Sequence, residues 1–201
     1  MNAQLVHLVE AVWEHDLPLG PWGDLEYRER AEREWEQSLT SDDCLTLLEW
    51  VADPVCPPQW DPYRERWLPG LADSAARHAG RAGKRLNDKR VLRRLIDLLS
   101  KPSCRYSALE GLIEFDDPMA FDDLLKCLGD TSNRCSVCVA IAGAASSEQV
   151  ERLREMGRRP DLAPALRDEI AEIVAECDAL KLERGISSQK SFDRDHNIQQ
   201  L

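Results

Sequence analysis

No stretch of this 201-residue chain approaches the roughly 20 consecutive apolar residues that a membrane-crossing helix requires. The opening Met1-Asn-Ala-Gln has neither a basic n-region nor an apolar core, so no secretory leader is expected. Sustained alternation of apolar and polar residues, the period a half-buried strand needs, is missing throughout. Catalytic signatures are missing as well: there is no Gly-x-Ser-x-Gly, phosphate loop, His-Glu-x-x-His or dinucleotide fingerprint, and Gly80-Arg-Ala-Gly83-Lys84 is too short for a phosphate loop. The seven cysteines are odd in number and follow no framework spacing, which points to a reducing, cytoplasmic setting. Beyond residue 67 there is no tryptophan, although the chain has six. These absences leave an all-α chain with no cofactor motif.

What is present is a 29-residue helical period in the second half. Leu95, Leu124 and Leu153 recur at that spacing, as do Leu92, Phe121 and Val150. Ala108, Val137 and Leu166 form a third column, and Leu112, Ile141 and Ile170 a fourth. Columns in register over three units predict stacked helix pairs, a short right-handed α-solenoid spanning about 86–183, with units at 88–117, 118–146 and 147–182. Within the units, helices are expected at about 88–100, 103–115, from Asp117-Pro118, over 134–145, from Ser146, and over 161–182. Gln149 is placed for a capping box with Ser146, and acid pairs such as Asp116/Asp117 and Asp122/Asp123 fit helix starts. The preceding residues 1–85, rich in tryptophan and proline, read as a separate aromatic-rich helical cap, because solenoid ends must hide their apolar faces. Its helices are expected at about 3–15, 24–38, 41–52 and 62–79, the last opened by Asp61-Pro62. Residues 184–201 read as a polar, flexible tail.

The string Leu128-Gly-Asp-Thr-Ser-Asn-Arg134-Cys-Ser-Val-Cys-Val-Ala-Ile-Ala-Gly143 resembles a HEAT repeat of the short bacterial, phycobilisome-lyase-like type. The shared pattern is a leucine-rich first helix, a turn Asp, an Arg opening the second helix and small residues along it. Arg105 and Arg134 share that repeat position, whereas Ala163 replaces them in the third unit, which is therefore degenerate or a terminal cap. The resemblance covers about residues 88–180 and implies a scaffold with a protein-binding habit. Some relatives of that type are enzymes or bind DNA, so both classes stay open as rivals.

Charge is segregated along the chain. Residues 1–60 carry net −10, residues 61–100 net +5 and the remainder net −6. One reading of the acidic helix bearing Glu26, Glu29 and Glu32 is a solvated face with internal pairs; the sharper one is a docking face for a basic partner. Second helices of the repeats present Glu110 and Glu114, then Glu169, Glu172 and Glu176, around a floor of Ser136, Ala140 and Gly143. That stripe suits either a segment of another protein or the N-terminal cap of this one. The basic run from Arg77 to Arg94 invites a nucleic acid, but its acidic flanks repel phosphates, and pairing with the cap explains it better. Cys135-Ser-Val-Cys138, with Cys127, has zinc-like spacing but no evident fourth ligand. The register aligns Cys138 with core position Leu109, so buried thiols and no metal are expected. His7 and His15 read as an exposed polar face beside Glu10 and Glu14. The function expected is a non-catalytic protein binder, foremost an immunity or antitoxin-type inhibitor that occludes a basic partner such as a toxin. The alternative is a general adaptor or assembly factor, and a HEAT-like enzyme or DNA-binding protein stands third.

Overall fold

The protein is described by a computed structural model that covers residues 1–16, 25–60 and 62–180, with side chains at all of these except 16, 25, 26, 28, 62 and 63. The described residues are helical, without strands: α1 (Ala3–Asp16), α2 (Leu25–Ser38), α3 (Ser41–Ala52), the short α4 (Pro62–Glu65), α5 (Leu68–Leu86), α6 (Lys89–Leu99) and α7 (Arg105–Phe115). Then come α8 (Phe121–Leu125), α9 (Arg134–Ala144), α10 (Ser147–Gly157) and a last helix, α11, over 164–180. Among the described residues, no helix is long and apolar enough to cross a membrane. The expected tail and the end of the last helix lie outside the described residues, as does Asp61.

The chain divides into two compact units, Met1–Asp116 and Asp117–Leu201. Composition places the boundary near residue 85, but the first repeat pair, α6 with α7, belongs to the earlier unit. The reason lies in α5. Its inner face is built from Ala72, Ala75, Ala76, Ala79, Gly80, Ala82 and Gly83, all buried. At this face α7 approaches to backbone contact. A Cβ on Gly80 would fall 3.0 Å from the carbonyl carbon of Gly111 and closer still to its oxygen. A Cβ on Gly111 would fall 2.8 Å from the Ala76 oxygen and 2.5 Å from Leu95 Cδ2. Only two glycines facing each other permit this separation.

Pattern reading ends the fourth helix near Ala79 and starts it at Pro62. The structure breaks it at Arg66–Trp67 instead and runs α5 on to Leu86, through both glycines. Helical propensity disfavours Gly80 and Gly83, yet close packing compensates. α5 stops at Asn87, whose φ of 50° is left-handed, with Asn87 N–H donating to Lys84 O and Asp88 N–H to Gly83 O. This is the two-bond Schellman closure with asparagine in the glycine place. Asp88 then caps α6 by accepting from Arg90 N–H at 2.8 Å. Asp116 likewise ends α7, at φ 53°, and donates its N–H to Leu112 O; it is a helix stop and not a helix start.

In the second unit Asp117 accepts from Met119 N–H, opening a 3-10 turn (Pro118–Ala120) and not a full α-helix. The Ser146–Gln149 capping box forms in both directions. The repeat columns are buried in their own units: Leu92, Leu95, Ala108 and Leu112 in the first, and Phe121, Leu124, Val137, Ile141, Val150, Leu153 and Ile170 in the second. Leu166 is only half-buried.

Gly80→Ala or Gly111→Ala should destabilise the first unit by about 3 kcal/mol, the upper end of an overpacked contact, because backbone must move. Gly70→Ala, where an added Cβ meets nothing within 4 Å, should be neutral or stabilising. Urea midpoints of the three variants check both expectations.

Candidate functional site

Along α5 the residues His78, Arg81 and Arg85 follow one another at helical spacing, and α2 faces them with Glu32, Trp35, Glu36 and then Leu39 just past its end. A core seam would place apolar groups at these positions; here most are ionisable. The His78 ring is buried, with 3% of its side chain exposed, and its Nδ1 lies 2.6 Å from Glu36 Oε1. Arg81 Nη1 sits 3.1 Å from Glu36 and 3.3 Å from Glu32, while its Nη2 donates to Glu114 at 2.9 Å. One guanidinium thus ties α2, α5 and α7. Arg85 donates to the carbonyls of Glu36 and Leu39, at 3.2 and 2.8 Å, where the negative end of the α2 dipole lies. Trp35 stacks on His15 at 5.0 Å and meets His78 edge-on at 4.9 Å. His15 is therefore half-buried against an aromatic ring and not part of a free polar face; His7 is exposed.

Burial pushes the Glu36 carboxyl up, but the His78 hydrogen bond and charge, with Arg81, outweigh it and leave the group below its ordinary value of 4.5. The hydrogen bond and charge of Glu114, with those of Glu36, hold Arg81 further into its charged form against burial. Glu32, Glu36 and His78 offer three metal-ligand atoms within 4.8 Å of one another. Arg81 already hydrogen-bonds both carboxylates and supplies the compensating cation, so the set is closed by its own chain. On the other side of α5, Asp73 accepts from Ser107 Oγ at 2.6 Å; burial raises its carboxyl, and the Glu110 charge adds to that. The charge of Glu110 also raises the Tyr106 phenol.

The acids expected to bind a partner therefore fall into distinct places. Glu32 and Glu114 are engaged by Arg81, and Glu29 pairs with Arg33 at 3.6 Å on an exposed face. Glu110 is half-buried near Asp73 and Tyr106, and the Glu26 side chain lies outside the described residues. Of the basic run, Lys84 pairs with Asp116 at 3.2 Å and Arg90 with Asp88 at 2.7 Å.

In the second unit the three glutamates of α11 differ in role. Glu169 is 4% exposed and accepts from Gly129 N–H at 3.1 Å, fixing the turn in which Gly129 has φ 84°. Glu172 pairs with Arg134 at 2.7 Å, and Glu176 is exposed. These two, with Arg134, Cys135, Cys138 and Val139, line an open hollow of about 540 Å³ beside α9. Of the expected floor, Ala140 is buried and Ser136 and Gly143 half-buried, and none of the three lines this hollow. Cys138 is half-buried, unlike Leu109 at the same repeat position. Burial, with the charges of Glu169 and Glu172, pushes its thiol up to about 11. The helical stripe Ile170, Ile173 and Cys177, all buried, is the signal that separates Glu169, at its edge, from Glu172 and Glu176.

No family model matches this chain, and neither curated proteins nor solved structures give a match.

Because the folded Glu36 value lies below the ordinary one, its contribution is present above pH 4.5 and is lost as pH falls through the folded value. Glu36→Gln should lower stability at neutral pH and flatten the loss on acidification to about pH 3. Urea midpoints of both proteins across that range check it. Separately, Glu169→Ala should cost about 1–3 kcal/mol by stranding the Gly129 N–H, whereas Glu176→Ala should be neutral within about 0.5 kcal/mol. Chemical denaturation of the two variants side by side distinguishes these roles.

Proposed function

We propose that this chain is a non-catalytic, HEAT-like protein-binding scaffold that captures a basic partner on the acidic side of the α9–α11 hollow. The observation that carries this reading is the uneven use of acid. In the first unit Glu32, Glu36 and Glu114 are consumed by Arg81 and His78. In the second, Glu172, exposed although paired with Arg134, and the exposed Glu176 border an open hollow with Val139, 37% exposed, beside them. Carboxylates around an exposed apolar spot suit a lysine- or arginine-bearing segment that also buries a small apolar side chain. The net charge of −11 favours fast encounter with such a surface. The buried 29-residue columns support the repeat reading.

Within this class we favour an inhibitor of the immunity or antitoxin type, a small acidic protein that occludes a basic surface on a toxin. The odd cysteine count supports a cytoplasmic setting. Rim charges of this kind act mainly on the rate of encounter, so association should slow as salt rises.

The test is capture from native cell extract at low and high salt, with the wild type and a Glu172→Lys/Glu176→Lys double variant as baits. A single stoichiometric basic protein, released by salt and lost at least about tenfold with the double variant, is the expected result. Equal capture by both baits would contradict the assignment of the hollow. Recovery of nucleic acid without protein would contradict the class.

A further inference from the structure

Seven cysteines are present, and Cys135 and Cys138 are the two that lie three positions apart. Cys44, Cys104, Cys127 and Cys177 are buried, and Cys56 is half-buried. Cys135 is exposed, Cys138 is half-buried, and both line the same hollow. Both belong to the start of α9, where residues three apart share a face with Cα atoms about 5 Å apart. That separation falls inside the range that disulfides span.

We propose that Cys135 and Cys138 form a reversible dithiol–disulfide pair, closed by thiol–disulfide exchange with a low-molecular-weight disulfide. Cys135 is the second residue of α9, whose N-cap residue, Asn133, makes no side-chain cap bond. The Asn133 amide donates to Asp130 at 3.0 Å instead of turning back on the helix. Cys135 Sγ lies in the first turn of α9, at the surface. Exposure makes this sulfur the attacking one. Its thiolate displaces one half of the small disulfide as a thiolate, which takes up a proton, and leaves a mixed disulfide on Cys135. Cys138 then gives its proton to solvent and attacks Cys135 Sγ, expelling the second half. Two protein thiols are oxidised, and one small disulfide is reduced to two thiols. Burial and the charges of Glu169 and Glu172 hold the Cys138 thiol up, so Cys138 acts as the second, resolving thiol and not the first.

Closure has a structural consequence. Cβ atoms about 5–6 Å apart in a regular helix must come within about 4.5 Å, so the first turn of α9 tightens. A first turn accepts this most easily, since 3-10 bonding is common there. Arg134, at the head of that turn, moves with it, and the Arg134–Glu172 pair that borders the hollow is disturbed. Oxidation would thereby regulate partner capture, a consequence that rests on the binding reading above; the thiol chemistry does not.

The experiment exposes the reduced, full-length chain to oxidised glutathione, quenches with an alkylating agent and maps the peptides by mass spectrometry. The wild type should lose two hydrogens between Cys135 and Cys138, retain no glutathione, and be restored by dithiothreitol. Cys138→Ser should accumulate a stable glutathione adduct on Cys135, and Cys135→Ser should slow reaction at Cys138 at least about tenfold. A wild type that keeps glutathione on Cys135 overturns the proposal. So does a pair still fully alkylatable once Cys56 has reacted, or a pair protected by a stoichiometric zinc ion. Capture of the basic partner is then compared for oxidised and reduced bait. A disulfide that forms without altering capture leaves the chemistry standing and counts against the binding role of the hollow.

Discussion

Everything in the first unit hangs on how closely α5 and α7 approach. Gly80 and Gly111 face each other with no room for a methyl group on either, and Ala72, Ala75, Ala76, Ala79 and Ala82 keep the rest of the α5 face shallow. Small side chains contribute little apolar area each, but they let two helical backbones meet, and contact over that length recovers dispersion energy. Leu95 closes the crossing from α6, and Gly83 gives Val91 and Phe115 a place to pack. The Asn87 turn, compact and left-handed, brings α6 straight back onto its neighbours.

That crossing also sets the electrostatics. With α7 this near, Glu114 reaches Arg81 on the same stripe of α5 that carries His78 and Arg85. α2 is too polar to dock by hydrophobic burial alone. It brings Trp35 and places Glu32 and Glu36 on cations already fixed by α5. Partly buried ion pairs give modest net stabilisation, but removing one partner leaves the other uncompensated, so the seam specifies where α2 sits more than how tightly. Glu32, one of the acids that read as a docking face in the sequence, is thus counter-charge for Arg81, whereas Glu29 stays on an exposed face.

Much of the helical architecture is legible from residues alone. Proline at 118, the Ser146–Gln149 box and the Asp88 cap mark helix starts by chemistry that needs no tertiary context. The leucine columns mark buried faces in the same way. α5 was illegible beyond Ala79 because alanine and glycine carry a weak hydrophobic signal and glycine reads as punctuation. Its continuation to Leu86 depends on α7, which lies well downstream. The same limit applies to Glu32, Glu114 and Glu169: spacing shows that an acid lies on a face, not which arginine or amide will meet it. Cys138 shows the converse, because repeat register carried a core environment onto a position that borders open space.

The second unit buries Glu169 but keeps Glu172, Glu176 and the two thiols of α9 around one hollow. The binding role proposed for it rests on that hollow, whereas the first unit is organised by its closure on α5. Native-state hydrogen exchange on the full chain tests that closure most directly. If the α5–α7 crossing organises the first unit, amides of α5 and α7 will be the slowest there and will share one opening free energy, while α2 opens at a lower one. Exchange in α5 as fast as in α2, or separate openings for α5 and α7, would contradict the account.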